Sequence, residues 1–253
     1  MTEAPTGLPP RARAALAVQR AVCIALSPLT TLAGWVLLRG WLRLRFAGIG
    51  ELRRAYRTFR RESNAPLLVC GNHLTMIDSA LIAYALGSPL WYVTHFASLP
   101  WNVPDRNTFA ARPWQRALTY VYKCLPIERG GSRAEIAGAL ARFIHLLRTG
   151  DVGLIFPEGG RSRSGRVDVE NAAYGVGRIV KSVPGCRVLC VYLRGDAQHE
   201  YSGLPARGDT LRARIAWLEP KSDKRGLRGS LEVSRQIVVQ LAELEREHFD
   251  AVA

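Results

Sequence analysis

Three short apolar runs constrain the fold of this chain more than any other feature. Residues 66–70 (PLLVC), 153–156 (GLIF) and 188–193 (VLCVYL) are too short for buried helices and are bounded by proline, glycine or charge, so they read as strands buried on both faces. An apolar, helix-like stretch runs from about Asp78 to Leu86, after the first strand and its GNH loop. A second helix is expected from Ser132 to Thr149. Ser132 and Glu135 form a capping box, Ile136, Leu140, Phe143 and Leu147 share one face, and Gly150 ends it. Buried strands alternating with helices predict an α/β fold: a single domain with a partly parallel mixed β-sheet flanked by helices. A chain of 253 residues can bury roughly 70 to 75% of its unfolded surface, enough for a real core. In such sheets the chemistry collects in the loops leaving the strand C-termini.

The N-terminal part has a different character. Ala21 to Leu38 (AVCIALSPLTTLAGWVLL) is uncharged and near the length of a membrane span, but Pro28, Thr30, Thr31 and Gly34 interrupt it. Arg11, Arg13 and Arg20 precede it, and Arg39, Arg43 and Arg45 follow. Arginines on both sides give little orientation bias and predict a pair of short helices lying in one leaflet, a monotopic or peripheral attachment to the cytoplasmic face of the cell membrane. A buried helical hairpin is the alternative. From Leu42 to Arg61 an arginine-rich stretch places Leu52, Tyr56 and Phe59 at helical spacing, as an amphipathic helix with a solvated basic face. The expected division is an attachment segment, residues 1–62, and an α/β domain, residues 63–253.

A net charge of +14 and a pI near 10.3 call for a negative partner: an anionic membrane surface, phosphate-bearing molecules, an acidic carrier protein or nucleic acid. No helix-turn-helix, RNA-recognition signature or zinc finger accompanies the charge, so no nucleic acid is expected. The cysteines, Cys23, Cys70, Cys124, Cys186 and Cys190, lack a CxxC pair, and the N-terminus reads as having no cleavable secretory leader. They are expected to be buried free thiols in a reducing compartment, with no metal.

Two of the strand-exit loops carry reactive residues. The first, GNHLTMIDS, holds His73 and Asp78; the second, FPEGGRS, holds Glu158, Gly159, Arg161 and Ser162. Taken singly, His73 reads as a structural histidine and Asp78 as an N-cap of the following helix. Together, the aspartate can accept the Nδ1 proton and leave Nε2 to take a proton from a substrate hydroxyl. Gly159 lets backbone approach a substrate, Arg161 can clamp a phosphate, and Glu158 can orient that arginine or bind an acceptor hydroxyl. With both loops on one sheet edge, the set supplies what acyl transfer from a thioester to a hydroxyl requires.

Asn72-His73 with Asp78, followed by Phe156-Pro157-Glu158-Gly159 with Arg161-Ser162, resembles the glycerolipid acyltransferase family that contains the bacterial 1-acyl-glycerol-3-phosphate acyltransferases. The resemblance covers roughly residues 65 to 195. It implies that His73 is the general base, Asp78 its partner, and Glu158 and Gly159 the acceptor site, with Ser162 in the same motif and Asn72 in support. Pro126-Ile127-Glu128-Arg129 is similar to an intermediate motif, implying that Arg129 contacts the acceptor phosphate; residues 188–193 resemble the last, apolar motif. The implied reaction moves a fatty acyl group from acyl-CoA or acyl carrier protein, with no bound cofactor, to a lysolipid acceptor, foremost 1-acyl-glycerol-3-phosphate in phospholipid biosynthesis.

This sequence departs from the family pattern at Gly160, where a small polar residue is usual, at Glu128 for aspartate, at Lys123 for glycine and at Cys190 for proline. These departures keep a lyso-ornithine lipid, another lysophospholipid or a polyene-type lipid open as acceptor. A noncatalytic lipid-binding relative and a basic nucleic-acid-binding protein are the readings outside enzymology. The insert from Leu99 to Trp114 shapes the acceptor site, rests on the membrane, or is a plain loop packing its aromatics. His95, His145, His199 and His248 are given no role. A strand is possible at Leu211 to Leu218, and Leu231 to Phe249 reads as a closing amphipathic helix.

Overall fold

A computed structural model describes residues 7–128 and 130–251. Six strands form one sheet: β1 (Arg45–Ala47), β2 (Leu67–Gly71), β3 (Trp101–Asn102), β4 (Gly153–Ile155), β5 (Arg187–Gly195) and β6 (Thr210–Leu218), in spatial order β1-β6-β5-β2-β4-β3. All neighbours run parallel except β5 and β6, so the sheet is mixed. The strand expected from 211 to 218 is β6, one residue longer at its start. Central β2 explains its own sequence, because Leu67, Leu68, Val69 and Cys70 are buried on both faces and a continuous apolar run replaces alternation.

Side chains of alternating residues feed two cores. Leu67 and Val69 join Leu189 and Val191 beneath α2 (Ile49–Glu62) and α3 (Asp78–Leu86), through Leu52, Tyr56, Leu81 and Ile82. Leu68 and Cys70 join Val188, Cys190 and Tyr192 beneath α7 (Arg133–Arg148), α8 (Tyr174–Ser182) and α9 (Gly226–Asp250). The capping box of Ser132 and Glu135 is formed. Close packing requires glycine at Gly177 of α8, where a Cβ would overlap the Ser230 carbonyl oxygen of α9. All five cysteines are free thiols, four buried and Cys124 half-buried.

Between β2 and β4 the chain passes through α3, α4 (Pro89–Thr94), β3, α5 (Arg106–Phe109), α6 (Pro113–Val121) and α7 before returning beside β2. β2 and β4 are therefore parallel neighbours, Cys70 opposite Ile155, and their C-terminal loops leave the same sheet edge. The insert from Leu99 to Trp114 supplies β3, α5 and the start of α6, with Trp101 buried as an anchor.

The N-terminal segment differs from both expectations for it. Instead of two short helices or a buried hairpin, α1 (Pro10–Trp35) runs unbroken through Pro28 and continues as a π-helical turn, Val36–Trp41. Pro28 lacks only the N–H that would have bonded Ile24, and the Thr31 hydroxyl donates to the Ser27 carbonyl at 2.6 Å in the same turn. Only a narrow stripe of α1 is buried, Leu16, Gln19, Cys23 and Ser27. Val18, Leu29, Leu32, Trp35 and Trp41 remain exposed. The 32 residues from Pro10 to Trp41 are long and apolar enough to cross a membrane by length and composition. Within the expected attachment segment, β1 joins the sheet edge and α2 packs on the core.

Candidate active site

β2 ends against β5. The Asn72 side-chain amide donates to the Leu193 carbonyl at 3.0 Å and its Oδ1 accepts from the Leu193 N–H at 2.8 Å, so a side chain extends the β2–β5 ladder by one step. His73 follows at the rim, 7% exposed. Its Nδ1 donates to Asp78 Oδ2 at 2.9 Å. The same carboxylate accepts from Leu74 N at 2.6 Å, from Thr75 N at 2.7 Å and, through Oδ1, from the Thr75 hydroxyl at 2.6 Å. Asp78 thus does not cap α3, of which it is the first residue; it reaches back and closes the five-residue step from the histidine. With Nδ1 donating, Nε2 carries the free lone pair of a neutral imidazole.

β4 delivers the second loop against the first. The Phe156 ring stacks on the His73 imidazole, centroids 4.1 Å apart and planes 11° from parallel. Ser162 N donates to the His73 carbonyl at 2.9 Å, so the loops are joined by a backbone bond as well. Gly159 turns the chain at φ +66°, in the left-handed region, and a Cβ there would lie 3.0 Å from the Ala173 Cβ. Glu158 Oε2 accepts from the Ser162 hydroxyl at 2.6 Å and from Asp168 N at 3.2 Å. Its Oε1 is buried with no partner among the described residues. Burial raises the Glu158 pKa, against the lowering effects of Ser162, Asp168 N and nearby His73.

The second loop thereby differs from its sequence reading in two respects. Ser162 uses its hydroxyl on Glu158, which makes it a support of that carboxylate. Glu158 does not hold Arg161; the Arg161 guanidinium lies over the Tyr201 ring, 5.3 Å from its centroid. Arg129, assigned to the acceptor phosphate, lies outside the described residues. Arg161 and Gly160 line one side of a cleft of about 580 Å³ with His73, Met76 and Phe156. The insert lines the other through Asn102, Pro104, Asn107, Thr108 and Phe109, so it is a wall of this cleft. A second, apolar cavity of about 170 Å³ between α1, α3, α4 and the end of α6 shares Ser79, Asn102 and Cys124 with the cleft.

Two positioning residues were not foreseen. Arg194, next to last in β5, has a buried guanidinium that donates to the carbonyls of Gly165 at 2.6 Å, Gln198 at 2.8 Å and His199 at 2.8 Å and to the Tyr192 hydroxyl at 3.2 Å. It ties the loop after Ser162 to the loop after β5, which itself bonds back to Leu74 through Ser202 N and Gln198. Its only trace in the sequence is a charge at the end of an apolar strand. Lys123 is buried at φ +54°, and its Nζ donates to the carbonyls of Phe96 at 3.0 Å and Leu99 at 2.7 Å and to Asp151 at 3.3 Å. Burial lowers its pKa to about 8 despite Asp151. Asp151 also accepts from Arg20 of α1 at 3.0 Å, anchoring that helix. A left-handed backbone angle accounts for the glycine usual in the family at this position.

A family model described as Acyltransferase matches residues 49–194. The chain belongs to the acyltransferase family. The match runs from α2 to Arg194, and so includes β2, β4, β5 and both loops, more than half of the sequence. Membership in this glycerolipid acyltransferase family makes the protein a lipid O-acyltransferase. No curated protein matches the chain significantly. Among the described residues, no group of three or more histidine, cysteine, aspartate or glutamate side chains is placed to hold a metal ion.

Proposed function

We propose that this acyltransferase moves a fatty acyl group from the thioester of CoA or acyl carrier protein to the free hydroxyl of a lysophospholipid, 1-acyl-glycerol-3-phosphate, in phospholipid biosynthesis. The observation that carries the reading is the buried His73–Asp78 pair, held rim to rim with the Glu158 loop through Phe156 and Ser162 N. His73 Nε2 takes the proton of the acceptor hydroxyl as its oxygen attacks the thioester carbonyl carbon. The tetrahedral intermediate collapses by breaking the C–S bond, and the imidazolium returns the proton to the leaving thiolate. The products are an ester and a free thiol, with no covalent enzyme intermediate.

Glu158, with one buried oxygen unused, receives the hydroxyl-bearing end of the acceptor. Arg161 and Arg129 hold its phosphate, Gly159 gives close backbone approach, and Asn72 keeps the His73 loop in register. The apolar cavity beside the cleft suits the acyl chain. The exposed apolar face of α1, continued by Leu90, Trp114, Leu118 and Tyr122 and flanked by arginines, suits the cytoplasmic face of an anionic membrane, with Trp and Tyr at the headgroup level.

The test is purified protein in phospholipid vesicles, given labelled acyl-CoA or acyl carrier protein and a panel of lysolipids. Labelled phosphatidate forming fastest from 1-acyl-glycerol-3-phosphate is the expected result. Transfer confined to a phosphate-free acceptor such as a lyso-ornithine lipid would overturn the acceptor assignment.

A further inference from the structure

A third cavity, of about 540 Å³, adjoins the cleft and differs from the acyl cavity in carrying three arginines in a lining that also includes Leu16, Leu125 and Pro126. Arg106 of α5, Arg116 of α6 and Arg142 of α7 converge on it from separate elements. Arg142 makes no hydrogen bond or ion pair with any described residue. Arg106 is loosely paired, 3.8 Å from Glu128 and 3.7 Å from Glu135, and both carboxylates are well exposed to water. Arg116 gives its Nε to the Ala110 carbonyl at 3.0 Å and one Nη2 hydrogen to the Ala111 carbonyl at 3.5 Å, and has further N–H groups to offer. Guanidinium donors so placed fit phosphate oxygens.

The position of this cavity narrows the ligand. Thr119 lines both it and the cleft, and Cys124 lines the basic cavity, the cleft and the apolar cavity together. The junction is rigid: buried Gln19 of α1 donates to the carbonyls of Tyr120 at 3.1 Å and Cys124 at 3.0 Å. The Cys124 thiol has its pKa pushed up to about 12 by burial, so it is an inert wall and not a nucleophile. An acyl thioester donor is apolar at its chain, reactive at its carbonyl and anionic at its phosphates, in that order, and three spaces of the same characters meet at one residue.

We propose that the Arg106–Arg116–Arg142 cavity binds the phosphate groups of the acyl donor, placing the thioester at His73 and the chain beside α1. This deepens the acyl-transfer reading and rests on it.

The test compares wild type with Arg142→Gln, which breaks no internal bond, and with Arg106→Gln as a second variant. CoA binding is titrated calorimetrically, and steady-state kinetics use acyl-CoA and the matching acyl-N-acetylcysteamine, which keeps the thioester but has no phosphate. The expected result is a rise of about tenfold in the CoA Kd and the acyl-CoA KM, as for one charge-assisted phosphate contact. The KM values for acyl-N-acetylcysteamine and lysophosphatidate, and sedimentation with phosphatidylglycerol vesicles, stay unchanged. Unchanged CoA binding, or an equal rise for the phosphate-free thioester, overturns the site. A loss of vesicle binding or a raised lysophosphatidate KM in place of the donor effect also overturns it, by assigning the arginines to a lipid headgroup or to the acceptor. Calorimetry needs no turnover: Arg142-dependent CoA binding without acyl transfer would sink the catalytic reading alone, and transfer with an Arg142-independent donor KM would sink this site alone.

Discussion

The two loops at the sheet edge are built to opposite rules. In the His73 loop the carboxylate is saturated: Asp78 accepts two backbone N–H groups, one hydroxyl and the imidazole before any substrate arrives. In the Glu158 loop one carboxylate oxygen is fixed by Ser162 and Asp168 N, and the other is buried with no partner among the described residues. A saturated carboxylate holds a geometry, whereas a half-saturated buried one holds free energy that a ligand can release. On the proposed reaction the saturated loop performs the chemistry and the half-saturated one recognises the acceptor, so substitutions in the two should fail in different ways.

The largest effect belongs to the finished loop. His73→Ala is expected to lower kcat by about 10³-fold with little change in either KM, as removal of a general base does; a loss seen only in KM would reverse the roles of the two loops. Asp78→Asn, measured by kinetics and melting together, is expected to lower kcat by about 10²-fold and also to cost about 2 to 3 kcal/mol, because an amide N–H₂ then faces donors. Full stability in that variant would mean that the carboxylate does not organise residues 73 to 75. Glu158→Gln should act on recognition, raising the acceptor KM about tenfold with the donor KM unchanged. Smallest is Asn72→Ala, expected to cost about 1 to 2 kcal/mol in denaturant unfolding for its two bonds to Leu193, with kcat within a few-fold of wild type.

Acidity separates the loops again. Burial raises the Glu158 pKa above its ordinary 4.5, so the folded state binds the proton more tightly than the unfolded chain. Its stability contribution is full below 4.5 and is lost as pH rises through the folded value. The melting temperature of wild type relative to Glu158→Gln, which stays neutral, is therefore expected to fall as pH rises above 4.5. A relative melting temperature rising with pH would mean that the carboxyl is stabilised in its charged form.

Legibility in the sequence followed the range of the interactions. The strands at 67–71, 153–155 and 187–195, the helix from 78 to 86 and the capped helix from 133 to 148 announce themselves through local pattern and length. The His73–Asp78 bond was readable because it closes within five residues. Arg194 was not, because it reaches back to Gly165 across the fold, and its nearer partners, Gln198 and His199, accept through backbone carbonyls that no side-chain pattern marks. The use of Ser162 on Glu158 and of Tyr201 beneath Arg161 depends on how the turn at Gly159 directs its side chains. Pro28 misled for a different reason: a proline removes one helical bond, and the Thr31 hydroxyl bonded to the Ser27 carbonyl and the anchors at Gln19 and Arg20 keep α1 continuous. The short edge strands β1 and β3 carry too few residues for any periodicity to register.

The central claim is direct transfer, with His73 as the base and no acyl-enzyme. Its most direct test is rapid quenching of purified protein mixed with radiolabelled acyl thioester, with and without lysophosphatidate, followed by separation of protein from lipid. The account predicts label in the lipid only when acceptor is present, none on the protein at any time, and neither product with His73→Ala. Label bound covalently to the protein before acceptor is added, or lipid labelled at the wild-type rate by His73→Ala, would contradict it.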